Sequence, residues 1–532
     1  MHDVLSTEFR DDYEDAIQVL VGKTTAVTSL LHSLLSEKKR PGGPPGATSI
    51  GHSNLKYAWR KKKIDNAIVE LERWLDIAEN YYFLLFRVPH PAIDSRLQHH
   101  DSARIRNTIP STQLVRDDFN EELPSPSSEL KTFPGLDTAQ QYPVPLCDST
   151  LAYLAGNSSL LVIDRVDCPA ELTDEMVETT MQNICRISQK LHHKNAIGYG
   201  LLDCKCIHPE GRINGRWRTF SFVFGFPVGF ERPTSLRARL LDKKPLRSLS
   251  HRFMVARDIA KAVSYVHTFG FVHKNIGPET ILMADCCAVN RGPGPPSAFL
   301  VGYGNVRAEF GKTYCRGDNN WERNLYRHGR RRGERPSEKY IMQHDIYSLG
   351  VCLLEVGLWE SLILYEGSCG AERPRPSSLL NEPSDSESMI GRDGIEEPLL
   401  HLARSALPRQ MGTSYAEIVE ACLTCMEPNN EAFGNPDVQS ADGTVIGGRF
   451  IQSVSRRVFE SVVANIANPK THQGFTTIDR NYRLVLQKVF DARPSPTTPS
   501  TRHGPQPSRN SPFLGISSTS ASAPLSFLRI SS

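Results

Sequence analysis

The feature that most constrains this chain is an ordered succession of patterns between His251 and Trp359. It opens with HRFMVARDIAKAVSYVHTFG (251–270), whose stripe of Phe253, Ala256, Ile259, Ala260, Val263 and Val266 has the spacing of a helix buried on one side. A loop, FVHKNIGPETIL, follows, then a short apolar run ending in glycines, FLVGYGN (299–305). The succession closes on HDIYSLGVCLLEVGLW (344–359), a polar start leading into a helix apolar enough to be buried all round. Upstream, SLLVID (159–164) and TFSFVFGF (219–226) are strand-like, and TDEMVETTMQNICRISQKLHH (173–193) is helix-like. Strand runs and long helices in this order predict an α+β fold.

Composition sets broad limits. The chain has 532 residues, room for two or three domains. A net charge of +3 is small for that length and gives no reason to expect a nucleic-acid partner. The 12 cysteines are irregularly spaced, and the nearest approach to a zinc site, Cys204 and Cys206 with His193 and His208, lacks ligand spacing. Those cysteines are read as ordinary buried thiols and no metal is expected. The opening MHDVLSTEFRDDYEDA is acidic and has no apolar signal-peptide core, and no window reaches the length of a membrane span, so a cytoplasmic setting is expected.

The order of landmarks resembles the C-terminal lobe of a protein kinase. The pairing of YRHGRR (326–331) with HDIYSLGVCLLEVGLW is similar to a group of fungal kinase-like proteins. Those often carry an N-terminal helical domain of the HeLo type, known from prion-inhibition and cell-death proteins. LKYAWRKKKIDNAIVELERWLDIAENYYFLL (55–85) resembles the later part of such a domain. The organisation expected is an amphipathic, partial HeLo-like module over 1–90, a linker over 91–146, and a two-lobed kinase-like domain over 147–466. That domain carries a surface insertion at about 365–395, and a disordered Ser/Pro/Thr-rich tail occupies 467–532. In the module, Ile17, Leu20, Val21, Thr24, Val27, Leu30, Leu31 and Leu34 mark one helix. Ile64, Ile68, Leu71, Leu75, Ala78, Tyr82 and Leu85 mark a second.

The residues that would do kinase chemistry are replaced. A kinase loop H-R-D-x-x-x-x-N supplies a carboxylate base and a metal-binding amide. Here His273 keeps its place and Lys274 replaces the arginine. Asn275 stands where the aspartate belongs, Gly277 replaces a lysine, and Thr280 replaces the metal-binding asparagine. An amide cannot accept the substrate proton near neutral pH. The D-F-G tripeptide is Gly302-Tyr303-Gly304, without a carboxylate for Mg²⁺. The V-A-I-K lysine position holds Asp164, beside Arg165. Asn183 or Ile184 falls near the pairing glutamate, with Glu178 more than a turn away, and LAYLAGNSS (151–159) has one glycine rather than three. His273 and Asp345 match residues that support the fold.

The resemblance so amended implies a pseudokinase: no catalytic residues, no cofactor expected, and at most weak, metal-independent ATP binding. A signalling scaffold or switch in a fungal self-recognition or cell-death response would fit. The alternative is an atypical active kinase that recruits Glu279 or Asp285. A protein partner is expected through the kinase-like domain or the N-terminal helices. Lys38, Lys39, Arg40, Arg60, Lys61, Lys62 and Lys63 offer peripheral contact with an anionic membrane. The six arginines of RNLYRHGRRRGER (323–335) are read first as a solvated run, and otherwise as contacts to an acidic partner. GKTT (22–25) lacks the first glycine of a phosphate loop and lies in a helical pattern.

Overall fold

A computed structural model describes residues 21–30, isolated positions around them, and 130–433 with short breaks. The chain divides into Met1–Leu486 and Gln487–Ser532, and the second unit lies outside the described residues. Outside them too lie the tail, most of the expected second N-terminal helix and every lysine and arginine expected to meet a membrane except the helical, exposed Lys63. Residues 21–30 are helical and include Gly22 to Thr25, so GKTT forms no phosphate loop. Among the described residues no helix is long and apolar enough to cross a membrane, and no cluster of His, Cys, Asp or Glu could hold a metal.

The fold is α+β. Its first part is a five-stranded antiparallel sheet of β1 (Gln140–Pro143), β2 (Thr150–Tyr153), β3 (Leu160–Asp167), β4 (Asp203–Ile213) and β5 (Arg216–Gly225). The strand order is β1-β2-β3-β5-β4. The helix α1 (Asp174–Leu191) joins β3 to β4; Thr173 caps it by accepting from the Met176 N–H, with acids in the first turn. Strand alternation divides β3 between two cores. Leu161 and Ile163 join Ala152, Cys206 and Val223 on the outer face, while Val162 and Val166 join the main core on the inner face. Asp164 falls between the latter two and therefore points inward.

The outer face is covered by residues that the sequence assigns to a linker. Leu130 bridges to Ile207, the Lys131 N–H donates to the Ile207 carbonyl at 3.0 Å, and Leu136 is 2 % exposed against the outer core. Residues 130–146 are thus a strap and an edge strand, and the linker reading is corrected there. An apolar outer face needs a cover, and Phe133, Leu136 and Ala139 supply it.

The second part is helical. α2 (Leu236–Leu241) and α3 (Leu249–Thr268) precede β7 (Phe271–Val272), and a small sheet forms from β6 (Phe230–Ser235), β8 (Ile281–Cys286) and β9 (Pro296–Leu300). After β10 (Arg307–Ala308) and α4 (Trp321–Leu325) comes α5 (Met342–Leu358), in which every residue is buried. Gly357 lets α5 approach α7 (Leu407–Met411) and α8 (Thr413–Leu423): a Cβ there would stand 2.5 Å from Leu407 and 2.8 Å from Tyr415. The insertion expected at 365–395 is anchored at its start, where β11 (Ile363–Glu366) pairs with β12 (Arg373–Pro376) and Leu380 is buried. The last helix of this part to be placed, α6 (Glu396–Ser405), buries Leu399 and Leu402.

Candidate functional site: a clasped cleft

The site lies where the inner face of the sheet meets the loop after β7. Asp345, in the first turn of α5, organises that loop. Its carboxylate accepts from the His273 N–H at 2.7 Å, the Lys274 N–H at 2.9 Å and the Tyr340 hydroxyl at 2.8 Å, and pairs with His267 Nε2 at 3.0 Å. Burial alone would raise its pKa, but His267, His273 and the backbone donors outweigh burial and hold it below the usual carboxylate range. Lys274 adopts φ +66, a left-handed conformation that costs a non-glycine residue about 1–2 kcal/mol. The two bonds from Asp345 offset that cost.

The positions expected to carry chemistry are brought together and are occupied otherwise. His273 is fully buried, its ring centroid 4.9 Å from that of Tyr303, and burial drives its pKa down to about 4. The Thr280 hydroxyl lies 2.7 Å from the Asn275 carbonyl and accepts from the Gly277 N–H at 3.1 Å, so it closes the loop rather than facing a metal. Gly302 has φ +85, and a Cβ there would sit 2.5 Å from Thr280 Cγ2 and 3.2 Å from Asn275 Nδ2. A Cβ at 302 meets Thr280 as the loop is packed, so an aspartate there lacks the space it needs.

Asp164 completes the arrangement. Its Oδ2 accepts from the N–H groups of both Gly302 and Tyr303 at 2.8 Å, so the residue in the lysine position ties β3 directly to the glycine loop. Asp164 is 2 % exposed. Burial raises its pKa to about 6 against the opposing pull of the two donors, and the nearby Asp148 adds to the rise. Tyr303 fills the space beneath, its ring 5.7 Å from Phe222 and 6.0 Å from Phe224, and Gly304 passes close to Val166.

The neighbouring candidates turn elsewhere. Arg165 is exposed and pairs with Asp167 at 3.1 Å; Glu178 is exposed and accepts from Gln182; Asn183 accepts from the Ala308 N–H at 3.3 Å; Ile184 is core. Glu279 meets Arg237 at 3.2 Å, and Asp285 meets Arg239 at 2.8 Å. Each carboxylate proposed for a relocated base is therefore held by an arginine. Arg237 itself is buried among Glu355 (3.0 Å), Ser361 (2.8 Å) and the Tyr326 hydroxyl (2.7 Å). Sequence reasoning missed this network, since its members are scattered along the chain. The clasp itself was legible only as Asp164, an anion in the place of the phosphate-binding lysine.

The reading of 323–335 as a solvated run is corrected for Arg331 and Arg332, which are buried, while Arg323, Arg330 and Arg335 are exposed. Arg330 pairs with Glu338 at 3.0 Å, and Arg331 donates to the Glu338 carbonyl. Arg332 is buried, with Glu396 at 2.6 Å and the carbonyls of Asn324 and Arg327 as acceptors. These guanidiniums tie α4, the loop after it and α6 together.

No family model matches this chain, and no curated protein matches it. Among solved structures it is similar to a chain in the structure of the CAK complex from Chaetomium thermophilum bound to ATP-gamma-S. The identity is 12%, the TM-score 0.35, and the match covers 59% of this chain and 90% of that one.

Proposed function

We propose that this chain is a kinase-like protein without phosphotransfer activity, working as a binding scaffold or switch. The observation that carries the reading is the clasp: Asp164 presents a carboxylate where phosphotransfer needs a lysine against the nucleotide phosphates, and spends it on the backbone of Gly302 and Tyr303. Support comes from the strand order of the sheet, α1 after β3, and the loop braced from α5. Further support is the lack of room at Gly302 for a metal-binding aspartate. The atypical-kinase reading gains nothing from Glu279 or Asp285, both engaged by arginines.

The same proposal extends, on the sequence resemblance, to a protein partner, a HeLo-like N-terminal module, anionic membrane contact by the basic clusters, and a fungal self-recognition or cell-death response. In it, the kinase-like part responds to the partner and controls exposure of the N-terminal helices.

Thermal-shift titration of the full chain with ATP, with and without Mg²⁺, tests the reading. A ligand that binds only the folded state adds about 2.7 kcal/mol at a hundredfold excess over its Kd. The expected result is no Mg²⁺-dependent rise in Tm up to millimolar ATP. A magnesium-dependent rise accompanied by phosphate transfer would overturn the proposal.

A further inference from the structure

The strap over the outer face of the sheet is held by a contact that only a neutral histidine can make. The strap joins edge strand β4, where the Lys131 N–H donates to the Ile207 carbonyl at 3.0 Å. It then crosses the outer core with Phe133, Leu136 and Ala139. Between these contacts the Phe133 N–H donates to Nδ1 of His208 at 3.1 Å. His208 is 3 % exposed, and its Nε2 lies 3.5 Å from the carboxylate of Asp137, also on the strap.

A backbone N–H can only donate, so Nδ1 must offer its lone pair, and the neutral ring carries its single hydrogen on Nε2, toward Asp137. A second hydrogen, on Nδ1, would set two donors against each other in a buried place, where an unmade hydrogen bond costs most. The charged groups around the ring do not reverse this. Asp137 favours an imidazolium, but its side chain is 80 % exposed and is screened by solvent. On the sheet, Ser221 of β5 stands opposite His208 and donates to Glu210. Glu210 is matched at 3.8 Å by Arg165 of β3, which also pairs with Asp167. Lys131 and Lys205 are exposed, and Lys205 pairs with Asp203.

We propose that residues 130–139 form an acid-released cover: neutral His208 latches it to the sheet, and protonation of the imidazole lets it go while the rest stays folded. Release bares the apolar outer face of Leu161, Ile163 and Val223, with Cys206 among them. A solvated histidine takes up its proton near about pH 6.5. The released state therefore binds one proton more than the latched state, and the latch weakens as pH falls. The device works whether or not the cleft transfers phosphate.

Two thiols on β4 read the cover. Cys206 lies under the strap in the outer core, whereas Cys204 belongs to the main core on the inner face. Trypsin cuts after Lys205 and separates them, so alkylation of the full-length chain can be followed at each by mass spectrometry. Each rate is divided by that of the same thiol in the urea-unfolded chain at the same pH. Below about pH 6.5, protection of Cys206 is expected to drop by up to about tenfold per unit, the slope of one linked proton, while that of Cys204 holds. His208→Asn and His208→Gln, amides that can accept and cannot titrate, are each expected to flatten the Cys206 profile. Protection of Cys204 shows that each variant is folded. Cys206 protection independent of pH in the wild type, an unchanged acid profile in the amide variants, or loss at Cys204 in step with Cys206 would each overturn the proposal.

Discussion

Asp164 and Asp345 are both fully enclosed carboxylates, yet their environments push them in opposite directions. Asp345 receives two backbone donors, a tyrosine hydroxyl and a histidine, and is held low; Asp164 receives two backbone donors only, and burial wins. The two therefore respond to acid with opposite signs. The folded pKa of Asp164 is raised from 3.8 to about 6. Its contribution to stability is fully present below about pH 4 and is lost as pH rises through about 6. Asp345 contributes stability above the ordinary carboxylate range that is lost on acidification. Asp164→Asn keeps an acceptor oxygen for Gly302 and Tyr303 but cannot titrate. Measured by urea unfolding, wild type should lose on the order of 2–3 kcal/mol relative to Asp164→Asn between pH 4 and 7. A flat difference across that range would mean that Asp164 is not shifted upward.

Among the elements, α2, the turn at Glu279, α4 and α5 are joined by one buried polar network around Arg237. Arg237 is 1 % exposed and its ion pair with Glu355 is wholly enclosed. Its pKa stands well above the ordinary value: burial opposes that, but Tyr326, Glu355 and Glu279 outweigh it. Breaking a buried pair leaves an uncompensated charge, so Arg237→Met should destabilise the fold by about 3–5 kcal/mol. Adding Glu355→Gln, which removes the orphaned charge and keeps an acceptor for the Leu362 N–H, should recover a measurable part of that loss. Additive effects in this cycle would show that the two residues are not coupled. This network also explains why Glu279 serves as a buttress: its carboxylate is the fourth partner of a guanidinium that the fold cannot leave unpaired.

At the scale of the molecule, the sheet is buried on both faces, by the helical part within and by the strap without. The strap makes residues 130–139 part of the folded unit. Leu136 fills the outer core, and Leu136→Ala should cost about 2–5 kcal/mol in denaturant unfolding. A loss below about 1 kcal/mol would instead describe a strap laid loosely on the sheet, as expected of surface positions. In the loop after β7, Asp345 fixes the backbone of His273 and Lys274, and the Thr280 hydroxyl holds the Asn275 carbonyl.

What the sequence determined by itself is the part that depends on local pattern. The stripe of 251–270 became α3, the largely apolar run of 344–359 became the buried α5, and LLVID became β3, because burial periodicity is written residue by residue. The replacements Asn275, Thr280 and Gly302 were equally plain, since a missing carboxylate is visible without coordinates. Tertiary structure alone decided what the replacements do. Asp164 was legible as an anion in a lysine's place, but its partners lie far along the chain at Gly302 and Tyr303, and only folding brings them to 2.8 Å. The same holds for the arginines of 323–335. As a sequence they are one basic run, and the fold divides them between ion pairs that hold α4 to α6 and the wall of a cavity. Charge is a property of residues, but its counter-charge is set by long-range packing.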